Sequence, residues 1–452
     1  MWTSTGRRRD VPGFLLRARD ALSGIRSAAP RNAAPVEESA TSGMLGELGA
    51  ILLSSSQACN DVEETLVRLS VRYGRPDLRV FVLPTVVLIE DPRSSRMGTA
   101  FFPAGRDALR LDQTGRVEHL VRRALDEQPP PDEIVAAARA IRVEPARFGA
   151  ALSLLGYTLL TIGFGLVLNP TVTALPVYLV LGVVVGTIVL LGNRAPTLSL
   201  ILPVATAFAV TLLITLLVRP IVHDDVLRLV APSLVSFLPG LTLTIAAVEL
   251  TSGQVMAGAS RLVYGFARLG LLAFGVFAGI SVGGTPPAPT VQPEQLGSWA
   301  PWVGIALVSV GYYFYSAAPR GSFPWILYAL VVAYSAQLLG DHLLGPELSG
   351  MVGAVIVIPA VALAGRLRTA PATAIMLTCA YWLLVPGAMG FIGLSEAASG
   401  TSGATSTILR TFGSLMAIAI GMVIGTGLAR DVSAFARGWR RTDAEKGGER
   451  DA

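Results

Sequence analysis

Three charged residues stand within long apolar stretches of the sequence and have the clearest capacity for chemistry: Glu249, Arg261 and Arg268. A charged side chain is costly in hydrocarbon, so such residues are usually functional or paired with one another. Glu249 could carry a proton or bind an ammonium group. It could equally form a structural ion pair with Arg261 across the short loop 251–254, and Arg261 and Arg268 would then be structural partners or a gate. The sequence leaves both interpretations open.

Two Pro-Gly pairs interrupt apolar segments 147 residues apart, at Pro239-Gly240 and Pro386-Gly387. Proline removes a helical hydrogen bond and clashes with the preceding turn, so each pair predicts a broken helix. The helix that restarts after each break begins with unpaired N–H groups at the positive end of its dipole, which favours a carboxylate. Matched breaks in two halves are typical of a binding site at the middle of a membrane; a kink that serves only packing is the alternative. The residues predicted to bind a small substrate are Pro239, Gly240, Leu241, Thr242, Pro386, Gly387 and Ala388.

The composition indicates a membrane protein. Of 452 residues, 52% are hydrophobic and 15% are charged, whereas soluble domains carry about 25% charged residues. Basic clusters at 7–9 and 437–441 are typical of residues that set membrane topology, so we expect contact with lipid and no nucleic-acid partner. The two cysteines lie far apart and predict neither a disulfide framework nor a cysteine-based metal site. Hydrolase and zinc-protease motifs are absent from the sequence, and its single lysine, Lys446, excludes a phosphate-binding loop. We therefore expect no enzyme, cofactor or metal.

The hydrophobic pattern predicts an all-α polytopic membrane domain preceded by a small cytoplasmic α/β domain. Before residue 148 it predicts helices at 44–53 and 62–73, strands near 80–83, 86–89 and 99–102, and helices near 115–126 and 131–142. Asn60 or Asp61 is the expected N-cap of the second helix. Ten apolar segments follow, each close to the roughly 20 residues that cross a bilayer as a helix: 148–168, 174–192, 197–218, 226–250, 255–282, 299–317, 322–340, 346–365, 372–395 and 406–428.

Ten spans divide into two sets of five, with a Pro-Gly break in the fourth span of each set. Because five is odd, the second set enters the membrane in the opposite orientation, which predicts a 5+5 inverted repeat. Arginines concentrate in the loops on one side, and this asymmetry predicts a multi-pass protein of the cytoplasmic membrane with both termini cytoplasmic. The predicted divisions are a disordered basic tail 1–42, the α/β domain 43–147, the repeats 148–282 and 299–428, an extracytoplasmic linker 283–298 and a basic tail 429–452.

Three stretches resemble the threonine/serine exporter family. The first runs from Ser54 through Cys59-Asn60-Asp61 to Leu66 and continues to 80–85. The second is Phe237-Leu-Pro-Gly-Leu-Thr-Leu-Thr followed by Glu249-Leu-Thr-Ser-Gly and Gly258-Ala-Ser-Arg-Leu, and the third is Leu384-Val-Pro-Gly-Ala388. Together they cover most of 43–428 in order, and the second stretch is the most specific.

The resemblance implies a secondary exporter of small amino acids, threonine and serine, driven by the proton motive force. This sequence has Glu249 where the family pattern has Asp, so a charge is kept there. Gln254 replaces a second expected acid, which puts any role for an acid at that position in doubt. An exporter or channel for another small metabolite and a membrane sensor or scaffold built on the soluble domain are the alternatives, and homo-oligomerisation is left open.

Overall fold

The computed structural model describes residues 40–93, 99–105, 108–192, 196–218, 222, 224–284, 294–367, 369–384, 387–398, 409–410 and 412–429. The described chain is mostly helical, with one small sheet near its start.

The N-terminal part, residues 40–147, packs four helices against a three-stranded sheet. Its strands form an antiparallel sheet in the order β1-β2-β3, and their inward valines and isoleucine share a buried cluster with all four helices. The strands lie at the predicted positions because buried β-branched residues, Val80, Val82, Val87 and Ile89, alternate with residues on the more exposed face. The elements are α1 Ala40–Ser54, α2 Cys59–Arg72, β1 Arg79–Leu83, β2 Val86–Glu90, β3 Thr99–Pro103, α3 Leu111–Asp126 and α4 Pro131–Val143.

The start of α2 differs from the prediction. Its N-cap is Ala58, with no side-chain cap, rather than Asn60 or Asp61. The first N–H group of the helix, that of Cys59, is bonded instead to the side chain of Glu249, 190 residues further along the chain. A distant carboxyl group thus does the work that a local polar cap usually does at a helix start.

The remaining helices are apolar, and each of the ten predicted segments overlaps at least one of them. They are α5 Ala150–Leu168, α6 Leu175–Gly192, α7 Pro196–Leu213 with a π-helical extension Ile214–Val218, α8 Val226–Ser233, α9 Gly240–Thr251, α10 Val255–Gly283, α11 Ala300–Tyr315, α12 Phe323–Leu344, α13 Ser349–Ala364, α14 Thr373–Leu384, α15 Gly387–Ala398 and α16 Phe412–Ala429. Within the described residues, six helices are long and apolar enough to cross a membrane, or seven if a bent pair counts as one span.

The bent pair is the first predicted break. Val226–Ser233 and Val235–Thr251 meet at an angle of 67°. A short 3₁₀ turn, Val235–Phe237, follows α8, and Pro239 is the N-cap of α9. The predicted single segment 372–395 is likewise divided into α14, which ends at Leu384, and α15, which begins at Gly387.

Helices α5 and α11 approach each other closely along four glycines, which we call the glycine seam: Gly156, Gly163, Gly304 and Gly311. A Cβ atom on Gly156 would lie 2.8 Å from the carbonyl oxygen of Gly311, and one on Gly311 would lie 2.7 Å from that of Gly156. Gly163 and Gly304 have the same reciprocal relation, at 2.7 Å in both directions. Only glycine permits this backbone contact, as in other close-packed membrane helix pairs.

The N-terminal part is attached to the apolar helices at several points. The N–H group of Leu111 donates to the carbonyl oxygen of Ser316 at 3.1 Å, and the guanidinium of Arg147 donates to that of Ala318 at 2.7 Å. Ala257, at the start of α10, is buried in the cluster of the N-terminal part. These contacts form a junction at one end of the helical bundle.

Candidate functional site

A cavity of about 670 Å³ lies at this junction, between the N-terminal part and helices α9, α14 and α16. We call it the junction cavity. Its volume falls within the range of about 300–1,000 Å³ that is usual for small-molecule sites. The residues that line it are Ser55, Ser56, Gln57, Ala58, Asn60, Asp61, Glu118, Leu241, Ile245, Val248, Thr251, Ser252, Ile358, Thr373, Ala374, Leu377, Thr378, Tyr381, Met422, Val423, Thr426 and Gly427.

Helical spacing explains how α9 lines this cavity. Leu241, Ile245, Val248 and Ser252 lie three or four residues apart, so they occupy one face of the helix. Leu241, one of the predicted binding residues, is at the far end of that face. The wall therefore runs the length of α9, from its last turn back to the Pro-Gly break.

Several polar side chains of the lining offer hydrogen-bond acceptors. The hydroxyl groups of Thr378 and Thr426 donate to carbonyl oxygens in their own helices, at 2.7 Å each, and keep acceptor lone pairs. The side-chain oxygen of Asn60 is buried and has no hydrogen-bond partner among the described residues, while its amide donates to Asp61 at 3.0 Å. No Arg, Lys or His is among the described residues that line the cavity. Such a lining suits a positively charged or hydrogen-bond-donating group.

The first Pro-Gly break borders a second, smaller cavity of about 60 Å³. Gly240 and Leu241 line it from α9, and Trp382 and Leu383 line it from the end of α14. Leu241 borders both cavities. The first break thus lies against residues that immediately precede the second Pro-Gly pair in the sequence.

The structure places the other predicted binding residues unevenly. Pro239 forms the N-cap of α9, and its carbonyl oxygen accepts from the N–H group of Leu243 at 2.9 Å. Thr242 is half-buried and is not among the lining residues of either cavity. Gly387 and Ala388 begin α15, and Pro386 lies outside the described residues.

Thr244 is a hydroxyl residue of α9 for which the sequence left two roles open, binding of a small polar substrate or satisfaction of the helix opened by proline. It is fully buried in α9, one turn after Gly240, and its hydroxyl group has no hydrogen-bond partner among the described residues. A threonine in an apolar helix gives no sequence signal for this, because its hydroxyl group can usually bond to the preceding turn.

Glu249 joins three segments of the chain. It is fully buried, and one carboxyl oxygen accepts from the N–H group of Cys59 at 2.8 Å. The other oxygen lies 3.1 Å from Nε of Arg261, although these two atoms are not aligned as a hydrogen bond. Arg261 also approaches the carbonyl oxygen of Gln57, at 3.4 Å. Glu249 and Arg261 thus form the ion pair that the sequence offered as one interpretation. The start of α2 is a third partner.

Arg268 lies apart from this cluster. A Cβ atom on Gly265 would meet Leu243, and one on Gly258 would meet Ala246, so α9 and α10 run antiparallel in contact. Arg268, about one turn beyond Gly265, is therefore near the height of the Pro-Gly break. It is half-buried and makes no ion pair with the acidic side chains that the structure describes.

Cys59 is buried against the Glu249–Arg261 pair. Burial raises the pKa of its thiol to about 12, and the charge and hydrogen bonding of Glu249 act in the same direction, while Arg261 opposes them. A thiol in this state is a poor nucleophile. His119, the histidine nearest to Cys59 in the sequence, lines a different cavity and is not placed beside the thiol.

The apolar helices and the cavities between them define the class: this is a multi-pass membrane protein. Residues 44–283 match the model of the ThrE family, whose description is "Putative threonine/serine exporter". The match covers more than half of the chain, and the chain belongs to this family, as the sequence motifs indicated. No curated protein matches the chain, and no solved structure matches it.

Proposed function

We propose that this protein exports small amino acids, threonine and serine, by alternating access driven by the proton motive force. The observation that carries the proposal is the junction cavity, which extends along α9 to the first Pro-Gly break. Family membership supplies the substrate class. The cavity supplies a route of suitable size and chemistry for an amino acid.

The acceptors of the junction cavity suit the substrate's ammonium group. Asn60, Asp61, Thr378 and Thr426 offer oxygen lone pairs, and an ammonium group supplies three donors. The hydroxyl group of threonine or serine adds one further donor. We assign Asn60 and Asp61 to the first encounter with the ammonium group, at the end of the cavity formed by the N-terminal part.

The substrate carboxylate would bind deeper, at the helix starts that follow the two breaks. The N–H groups after Gly240 and Gly387 lie at the positive ends of α9 and α15. Leu241 borders both cavities, which supports passage from one site to the other. Arg268, near the height of Gly240, adds a positive charge in this region and would act as a gate.

The inverted repeat is the architecture we propose for alternating access, with ten helical spans in two sets of five. The glycine seam supports it. Gly156 and Gly163 correspond to Gly304 and Gly311 with an offset of 148 residues, close to the 147 that separates the two Pro-Gly pairs. Gly156 contacts Gly311, the counterpart of Gly163, and Gly163 contacts Gly304, the counterpart of Gly156. This reciprocal arrangement is the one expected across a two-fold axis.

Glu249 is the residue we assign to proton coupling. Loss of its charge would leave Arg261 buried without a counter-ion and would weaken the bond to Cys59. Protonation would therefore loosen the N-terminal part from α9 and α10. An ion pair with only a structural role is the alternative.

The energetics allow this mechanism in the cytoplasmic membrane, with the N-terminal part and both termini on the cytoplasmic side. Export against a hundredfold gradient costs about 2.7 kcal/mol. One charge moving through 100 mV provides about 2.3 kcal/mol, and a pH gradient adds to this. One or two protons per substrate are sufficient.

Efflux from proteoliposomes tests the proposal. Vesicles loaded with labelled threonine should release it faster under an imposed pH gradient, and the gradient should not accelerate release of a bulky amino acid such as tryptophan. Counterflow exchange of labelled serine distinguishes a carrier from a passive channel, which shows none. Absence of threonine and serine flux from well-folded protein would favour a sensor or scaffold.

A further inference from the structure

A second large cavity, of about 650 Å³, lies on another face of α3, and we call it the basic cavity. Helix α3, the segment before α5, the loop between α11 and α12 and the segment before α14 surround it. Its charged lining residues are Asp112, Arg116, His119, Arg122, Glu144, Arg147 and Arg320.

Helix α3 separates two cavities of opposite character. Glu118 lines the junction cavity, whereas Gly115, Arg116, His119 and Arg122 line the basic cavity. The latter four are spaced by one, three and three residues and so share one face of the helix. The junction cavity has acidic lining residues and no basic ones among those described, and the basic cavity has four arginines and a histidine against two acids. The two cavities therefore suit ligands of opposite charge.

The acids of the basic cavity are already engaged. Asp112 pairs with Arg110 at 3.1 Å, and Glu144 pairs with Arg116 at 2.7 Å. Among the described residues, neither Arg147 nor Arg320 forms an ion pair. These two arginines carry positive charge that nothing in the described structure neutralises.

The position of Arg147 places this charge at the edge of the apolar helices. Its guanidinium lies 4.7 Å from the ring centre of Phe148 and 5.6 Å from that of Tyr313. Tyrosine rings such as that of Tyr313 are typical of the zone where a membrane meets water. The bond from Arg147 to Ala318 also fixes the loop that carries Arg320, so the site is organised before any ligand arrives.

We propose that the basic cavity binds a phosphate-bearing anion through Arg147 and Arg320. The anion is either the headgroup of an anionic phospholipid or free phosphate. A guanidinium group can donate two parallel hydrogen bonds to two oxygens of one phosphate. Basic pockets beside membrane helices are suited to anionic headgroups. The site is independent of the transport proposed above.

Calorimetric titration of the purified full-length protein tests this site with three probes: dihexanoyl-phosphatidylglycerol and dihexanoyl-phosphatidylcholine below their micelle concentrations, and inorganic phosphate. Arg320→Gln should weaken binding of the anionic lipid about fivefold, and adding Arg147→Gln should weaken it about fivefold again. Arg320→Lys, which keeps the charge, should restore part of the affinity. The matched control is Arg139→Gln, because Arg139 pairs with Glu47 at 2.8 Å away from the cavity.

Tighter binding of phosphatidylglycerol than of phosphatidylcholine, weakened in Arg320→Gln and further in the double variant but unchanged in Arg139→Gln, supports the lipid headgroup. The same pattern with inorganic phosphate supports free phosphate as the ligand. Equal affinity of wild type and Arg320→Gln for both anions, with unchanged thermal unfolding of the variant, would show that the proposal is wrong.

Discussion

Glu249 either carries the coupling proton or serves only in a structural ion pair with Arg261. If it serves coupling, Glu249→Gln abolishes proton-driven threonine efflux. It also lowers stability by about 3 kcal/mol, because Arg261 is left as an unpaired buried charge. The measurements are efflux from proteoliposomes and the free energy of unfolding.

The double variant Glu249→Gln/Arg261→Gln separates coupling from structure. It removes both charges, so it should regain stability while flux stays absent. Recovery of both stability and proton-driven flux would leave the pair with a structural role only. Glu47→Gln is the control, since its pair with the exposed Arg139 contributes about 1 kcal/mol or less.

Cys59 gives a second prediction at the residue scale. The pKa of its thiol is raised to about 12, so the reactive thiolate is scarce between pH 7 and 9 and becomes common only as the pH approaches 12. In a Cys379→Ala background, alkylation of Cys59 at pH 8 should be at least about a hundredfold slower than that of an exposed cysteine.

Glu249→Gln should accelerate this alkylation, because Glu249 raises the pKa of the Cys59 thiol. Mass spectrometry of samples taken over time measures both rates. Rapid labelling of Cys59 in the otherwise unaltered protein would contradict the buried arrangement of Glu249, Arg261 and Cys59.

At the scale of elements, the glycine seam predicts an unusual response to a single methyl group. Gly311→Ala should lower stability by about 1–3 kcal/mol, since the new Cβ atom meets the backbone of α5. Gly270→Ala in α10 is the matched control, because a Cβ atom there has no neighbour within 4 Å among the described residues. Thermal unfolding in detergent measures both, and equal unfolding temperatures would contradict the close packing of α5 and α11.

Local elements were predictable from the sequence, whereas contacts between distant segments were not. Alternating valines and isoleucines located β1 and β2, and the 12-residue separation of Glu249 and Arg261 across a short loop suggested their pairing. The third partner of that pair is a backbone N–H group, which has no sequence signature. The same contact explains why the predicted N-cap of α2 was wrong.

At the scale of the whole molecule, the N-terminal part forms a wall of the junction cavity, an arrangement that the sequence did not predict. Asn60 and Tyr381 line the same space although more than 300 residues separate them. Hydrophobic periodicity locates helices but does not arrange them around a cavity. The first sequence motif did contain most of the polar residues of this wall, the exception being Glu118, yet only the packed structure assigns them a place.

Bound threonine should therefore protect this cavity from chemical labelling. The two native cysteines are buried, so a cysteine introduced as Ser252→Cys, at an exposed position that lines the cavity, provides a specific reporter. Threonine should slow its reaction with a maleimide several-fold. Asp126→Cys, exposed at the end of α3 and outside the lining, should react at the same rate with and without threonine; equal slowing of both would contradict binding in this cavity.

The glycine seam also sets an order of events during synthesis. Gly156 and Gly163 leave the ribosome well before their partners on α11, and at 5–20 residues per second the interval is roughly seven to thirty seconds. During that time the glycine face of α5 has no α11 to pack against, and another small-residue helix could occupy it. The pairing of α5 with α11 therefore forms late in synthesis. A delay in translation between α10 and α11 would lengthen the period in which α5 of the nascent chain can pair with another helix.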